Sequence, residues 1–588
     1  MMKKNMKKII SLILTVAVFI TGTTVFVSAD NGDAADNGAI ISVTNVANGF
    51  LEIVFERFGS LFPDDFITVE EYYAGESENF YEGNEVFLDA PAQDAKWYLG
   101  FGKASIVPEN LKNGEKAYYT GGYFTQEVDG VYDDQGVNAV AMNDNSGRGT
   151  VVMASIDGVG VTNADVRAIR AEAERKISEQ GVDSDIVAIN INSTHAHTVI
   201  DTQGFGLVPL LIGIVKNIAA RFAPVIEAGR SIDSEFYALM IDGASDAIAE
   251  AYMNMESGEL YYFETAGIGR SERNGNYPDD EYDYLYNKRY NLEGYQHVIA
   301  CFRFVPDNAD SAPTVFANLG GHPTTINRST KLLSADYPHY IETKLNEAGM
   351  NFMFIQGAQS PISVSAGNVK TEEILAEVEA EIAADERVND YAQPKKLGYE
   401  FARLIIDAQK NATEVAPVLN VKMAEITVPL EFGLLELGAR SGLLGMTTVK
   451  DASAPSGYSV ISEVGYIELG TDIAVVTVPG ELVPQLVYGN VVDKTESYLG
   501  TDWEYEATAD VIGEDKTVLV MGLCNDAIGY IVPDNDYAPF IADTIWNTDF
   551  GVKLFGEYHS HYEEMLSTGS HAGSTVIGAL NQLVKDSK

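Results

Sequence analysis

Cysteine is nearly missing from this chain of 588 residues: Cys301 and Cys524 are the only two. They lie far apart in apolar surroundings, Ala300-Cys301-Phe302 and Leu523-Cys524-Asn525. That context suits two buried thiols better than one disulfide, and it excludes a disulfide-stapled scaffold. Positive charge is scarce as well. Lys and Arg number 39 against 86 Asp and Glu, a formal net charge of −47. Such a field repels nucleic acid and anionic membranes and favours solubility outside the cell. Past residue 30 no segment offers the roughly 20 uninterrupted apolar residues of a membrane span. No internal repeat, low-complexity tract or Pro/Gly-rich linker is read, so one large domain is expected rather than several small ones.

What is there begins with a targeting pattern. Lys3, Lys4, Lys7 and Lys8 precede the apolar run from Ile9 to Ile20, and Val27-Ser28-Ala29 supplies small residues for cleavage. Residues 1–29 are therefore expected to be a secretory signal peptide, placing the protein outside the cell or at its surface. Residues 30–92 are acidic and irregular, with one apolar patch from Phe50 to Phe55, and are expected to form a leader or lid. Residues 93–588 are expected to be the main domain.

The chain is organised around Ile186 to His197. The β-branched run Ile186-Val-Ala-Ile-Asn-Ile191 reads as a buried strand that breaks at Asn192-Ser-Thr-His195-Ala-His197. Side chains two apart on extended backbone share a face, so His195 and His197 can converge on a divalent metal. They can equally cap a strand and hydrogen-bond a loop. An amphipathic helix is expected just before, over Ala164–Gln180, with strands at Val137–Met142 and Thr150–Ile156. Alternating strand and helix point to an α/β fold. Four more apolar strands end in a functional group: His322 after Gly320-Gly321, serines after Phe352–Gln359, Glu481 after Val476-Thr-Val-Pro-Gly, and Tyr530 after Val518–Gly529. The expected architecture is thus a large single α/β domain with mixed sheets and helical layers, its site at strand ends. The apolar segment 204–222 is too interrupted to span a bilayer and reads as a half-buried helix or a wall beside the site that touches lipid. A C-terminal trio, His559, His561 and His571, with Glu563 and Glu564 nearby, is expected to be a solvated segment because no apolar strand leads into it.

Thr194-His-Ala-His197, Gly320-Gly-His-Pro-Thr324, Phe354-Ile-Gln-Gly-Ala-Gln359, Val478-Pro-Gly-Glu481 and Gly522-Leu-Cys-Asn-Asp-Ala-Ile-Gly-Tyr530 occur in the order found in neutral/alkaline, non-lysosomal ceramidases. Gly100-Phe-Gly-Lys-Ala-Ser-Ile-Val-Pro108 and Ser334-Ala-Asp-Tyr-Pro338 also resemble that family. The resemblance covers about residue 97 to the C-terminus. It implies a secreted, zinc-dependent amidohydrolase that splits N-acylsphingosine or a related N-acyl lipid into fatty acid and amine. It places one zinc per chain on His195, His322, Glu481 and Tyr530; a shift of three residues would put the last on Ala527, which cannot ligate. His197 becomes the acid/base or orienting histidine, and Arg270 in Gly-Arg-Ser a binder of developing negative charge. Ser363 resembles the serine of the family's Gly-Asp-Val-Ser-Pro, though Ser360 or Ser365 also fits the register, and the motif's Gly and Asp are missing. Asp157 and Asp336 are candidates to orient the ligands. The family's C-terminal immunoglobulin-like module is not expected here. The partner implied is a lipid-like N-acyl amide, with transient contact at a membrane or micelle surface, no nucleic acid and no protein partner. An amidase for another N-acyl compound, or a surface binding protein that keeps the fold without turnover, are the alternatives.

Overall fold

The structure, a computed structural model, describes residue 59 and residues 65–588 apart from 76, 123–124, 205–211, 215, 218, 221–228, 269–283, 288, 290–296, 328–329, 432, 539–560 and 562. The expected signal peptide, the patch at 50–55, much of 204–222, Arg270 and His559 lie outside the described residues. Among those described, no helix is long and apolar enough to cross a membrane.

The chain builds the same topology three times. In the first unit β1 (Trp97–Ser105), β2 (Gly136–Asn143) and β3 (Thr150–Ile156) run up, down and up, and helix α1 (Asn163–Glu179) leads to β4 (Ile186–Ser193), parallel to β3. Helix α2 (Ser234–Met253) then leads to β5 (Glu256–Glu264), β6 (Ala300–Pro306), β7 (Thr314–Leu319), helix α3 (Asp336–Glu347) and β8 (Asn351–Gln356), again three antiparallel strands and one parallel. After helix α4 (Ala392–Ala408), β9 (Leu419–Pro429), β10 (Tyr458–Leu469), β11 (Ile473–Thr477) and β12 (Thr517–Met521) repeat the pattern a third time. Helix α5 (Ala572–Asp586) closes the chain. No repeat is legible in the sequence, because the units share strand order and not residues.

The first two units join edge to edge through β1 and β5 into one sheet ordered β8-β7-β6-β5-β1-β2-β3-β4. The third forms its own sheet, β9-β10-β11-β12. The sheets pack face to face through Val140, Met153, Phe316 and Met353 on one and Val421, Met423, Ile467 and Leu519 on the other. Helices α1 and α2 cover the outer face of the first unit, α3 and α4 that of the second, and α5 that of the third. The result is four layers, helix, sheet, sheet, helix, with each fully buried Leu, Ile or Phe worth about 1.5–3 kcal/mol. The sequence reading found the first sheet but not the long strands β9 and β10.

Local chemistry explains the key elements. Thr162 and Asp165 form a reciprocal capping box that starts α1, and Val166, Ile169, Ala173 and Ile177 form its buried stripe. Arg170 on the same helix is buried too, because Glu463 of β10 meets it at 2.8 Å and the Ile189 carbonyl accepts its Nε–H. Residues 65–92 are not wholly irregular: Thr68 and Glu71 cap a short helix, Val69–Ala74, and Asn84 bonds the β9 backbone at Val421. The C-terminal segment also departs from the solvated reading. His561, Glu563 and Glu564 are buried around the guanidinium of Arg289, with Asp536 on the same cation. A buried cation makes those acids tolerable in the interior. His571 is on the surface, paired with Glu431.

Candidate metal centre

Twist brings the strand ends together. Eight strands stepping about 20–25° each turn the sheet's edges through roughly 140–175°. β4 and β8 run in opposite directions by pairing, yet their C-terminal ends meet: the Gln356 amide donates to Asn192 Oδ1 at 3.1 Å. The third unit arrives at the same place, where Asn525 N–H donates to the Ile191 carbonyl and Gly522 N–H to that of Gln356. Glycine is required here for close approach. A Cβ on Gly522 would stand 2.4 Å from the Gly357 oxygen, and one on Gly480 2.3 Å from that of Gly529.

His195 follows β4, His322 follows β7 and Glu481 follows β11, so each unit contributes one group. His195 Nε2 lies 3.2 Å and His322 Nε2 3.0 Å from Glu481 Oε2. All three donor atoms fall within 4.8 Å of one another, and all three residues are buried. The tautomers are set from behind: His195 Nδ1 lies 2.7 Å from the Val159 carbonyl and His322 Nδ1 2.8 Å from that of Ile362. Each Nδ1–H donates there, leaving the Nε2 lone pair turned inward, the arrangement by which proteins orient metal-binding imidazoles. His195 has φ +66°, a left-handed conformation costing about 1–3 kcal/mol in a side-chain-bearing residue. Its amide bonds the Gly158 carbonyl at 2.8 Å, which holds it there.

The donor set fits zinc. Ligands about 2.0–2.2 Å from one ion at tetrahedral angles are about 3.3–3.6 Å apart, a few tenths of an ångström more than the two imidazole–carboxylate spacings here. Electrostatics agree. Burial opposes the charge on Glu481, but the imidazoles of His195 and His322 outweigh it and hold the carboxyl well below the usual carboxylate range. Burial likewise works against a proton on His195, and the Glu481 carboxylate overcomes it, raising the imidazole above its ordinary value. Each partner thus favours the charged form of the other, so a metal binding here would compete with a proton on His195.

The other expected residues divide. Tyr530 pairs in register with Glu481 in a short parallel ladder, and both line a cavity of about 40 Å³ with His195 and His197. That volume admits a water or a small polar group. Ala527, Gln203 and Leu523 are among the other residues of its wall. The His197 ring packs against Gly122, where a Cβ would stand 2.3 Å from Nδ1. Its centroid is 4.6 Å from that of His195 and 6.5 Å from that of His322. Ser363 bridges His322 through the backbone, but it is not among the residues lining the cavity. Asp336 receives bonds from Thr325 N, Thr325 Oγ1 and Ile326 N, fixing the turn after His322; burial lifts it to about 6 against those bonds. Asp157 accepts from Thr194 Oγ1 and Gly136 N, and burial lifts it to about 7.

One residue beyond the expected set lies beside the group. Gln359 is fully buried and its Nε2 donates to Glu481 Oε2 at 3.2 Å. Ser360, an alternative to Ser363 in the register, follows it, with a buried Oγ that has no hydrogen-bond partner among the described residues. The signal was Gln359-Ser360-Pro361 directly after an apolar strand and a Gly-containing turn.

No protein-family model matches the chain, and no curated protein matches it by sequence. Solved structures do. The neutral ceramidase from Pseudomonas aeruginosa superposes with a TM-score of 0.54 over 84% of this chain and 74% of its own, at 14% identity. A ceramidase complexed with C2 gives 0.52 over 84% and 75%, also at 14% identity. The resemblance first carried by five short motifs therefore extends to the fold: over 84% of its length the chain has the mixed α/β fold of the neutral ceramidases.

Proposed function

We propose that this protein is a secreted, zinc-dependent amidohydrolase acting on N-acylsphingosine or a closely related N-acyl lipid. The observation that carries the reading is the convergence of His195, His322 and Glu481, one from each unit, with both imidazoles presenting Nε2 to one carboxylate oxygen. The ceramidase fold supports the substrate class, and the lysine-led apolar segment within residues 1–29 supports secretion.

An amide resists hydrolysis because its carbonyl is a weak electrophile and its nitrogen a poor leaving group. His195, His322 and Glu481, with Tyr530 beside them, would hold the zinc, which would supply Lewis acidity and lower the pKa of a water to about 7. The remaining steps fall to side chains. His197, on the cavity wall, takes a proton from the attacking water and returns it to the departing nitrogen, being the side-chain type that titrates near neutrality. Gln359 holds the Glu481 carboxylate in place. Arg270 meets the negative charge that grows on the carbonyl oxygen.

The N-acyl amide is the chemistry that ceramide and related N-acyl lipids share. The experiment is elemental analysis of the purified chain, followed by removal of metal with a strong chelator. One zinc per chain and loss of N-acyl amide hydrolysis, restored by zinc, are expected. Full hydrolysis by the metal-free chain would sink the proposal.

A further inference from the structure

Between the two histidines lies a side chain that no step above uses. Gln356 ends β8 and is fully buried. Its Nε2 donates to the Thr194 carbonyl at 3.0 Å and to the Gly321 carbonyl at 3.1 Å. Its Oε1 accepts from Gly321 N at 3.2 Å. Thr194 immediately precedes His195, and Gly321 immediately precedes His322. One amide group is thus bonded to the peptide before each histidine, across two units whose strands are not neighbours in the sheet. The Gly321 carbonyl is held a second time, by the Tyr337 hydroxyl at 2.8 Å.

We infer that Gln356 is a positioning residue that fixes the distance between His195 and His322, with Tyr337 bracing the second peptide. Only an amide does this: a carboxylate lacks the two N–H donors, and a shorter side chain reaches one loop and not both. The inference rests on the metal-centre reading, and groups of this kind around bound metal are worth about 10–100-fold in affinity.

The test uses the full chain loaded with Co²⁺, whose visible absorption reports ligand geometry, and a chromophoric chelator competing for Zn²⁺. Gln356→Met is expected to weaken zinc about 10–100-fold and to change the cobalt spectrum. Tyr337→Phe, which removes one hydrogen bond and keeps the ring, should move both readouts the same way by less. Tyr466→Phe is the control, since it loses an equally buried hydroxyl bonded to Glu468 in the other sheet. Unchanged spectrum and affinity in both variants, or equal losses in the control, overturn the inference. A wild-type chain that takes up neither ion overturns the metal reading instead. In that case hydrogen exchange on the metal-free chain decides: Gln356→Met should speed exchange in 194–198 and 321–326 together, and a response in one loop alone refutes the tie.

Discussion

At the scale of single residues, a metal at this centre would have to compete with a proton. Because Glu481 raises the His195 imidazole above its ordinary pKa of about 6.5, the proton is retained past that pH, and metal must displace it. Zinc affinity is therefore expected to climb with pH through and above that value. Titration calorimetry in buffers of different ionisation enthalpy will show proton release; none would refute the imidazolium–carboxylate pair. Glu481→Gln should lower zinc affinity at least about 100-fold, since it removes the only anionic ligand among the three. A second prediction concerns Asp526, 2% exposed, which burial drives up to about 7 although the amides of Asn163 and Ala527 donate to it. A carboxyl raised in the folded state stabilises below its unfolded pKa of about 3.9, and that contribution is lost as pH rises towards 7. Asp526→Asn should thus gain on the wild type between pH 4 and 8, by several kcal/mol at about 1.4 per unit, in urea unfolding at the two ends. An identical pH dependence in both proteins would count against it. His195, His322 and Glu481 were legible in the sequence because each ends an apolar run at a turn. Gln359 was not, because a glutamine matters only through the carboxylate it faces, and that lies 122 residues on.

At the scale of elements the site depends on backbones touching without side chains between them. Gly522 packs against the Gly357 carbonyl where the third unit meets the second. Gly522→Ala should cost about 1–3 kcal/mol through overpacking and should also shift His322 and Glu481 apart. A drop in melting temperature with unaltered zinc affinity would show that the contact is structural alone. Elements were legible where period and caps were strong: the helix expected over 164–180 is Asn163–Glu179. β10 was not: its twelve residues include Glu463 and Glu468, both buried. Those acids break the apolar pattern, and their partners Arg170 and Asn420 are supplied by other elements. A strand that buries charge is invisible until its neighbours are known.

At the scale of the molecule each of the three units gives one donor, so an ion bound there would tie all three. Saturating zinc should raise the melting temperature by the linkage it adds, about 2.7 kcal/mol at a hundredfold excess over Kd. His195→Ala, His322→Ala and Glu481→Ala should each abolish that rise, one unit at a time. A rise that survives any one of them places the ion elsewhere. The three-fold topology was not legible, since strand direction and pairing leave no mark in composition when the units share no residues. A chain emerging from its first residue has both imidazoles in place well before the acid arrives, so early folding yields an unfinished grip with little hold on any cation. The group of three donors is then completed late and all at once, after β11 has docked, and a molecule clipped before that point keeps only two of them.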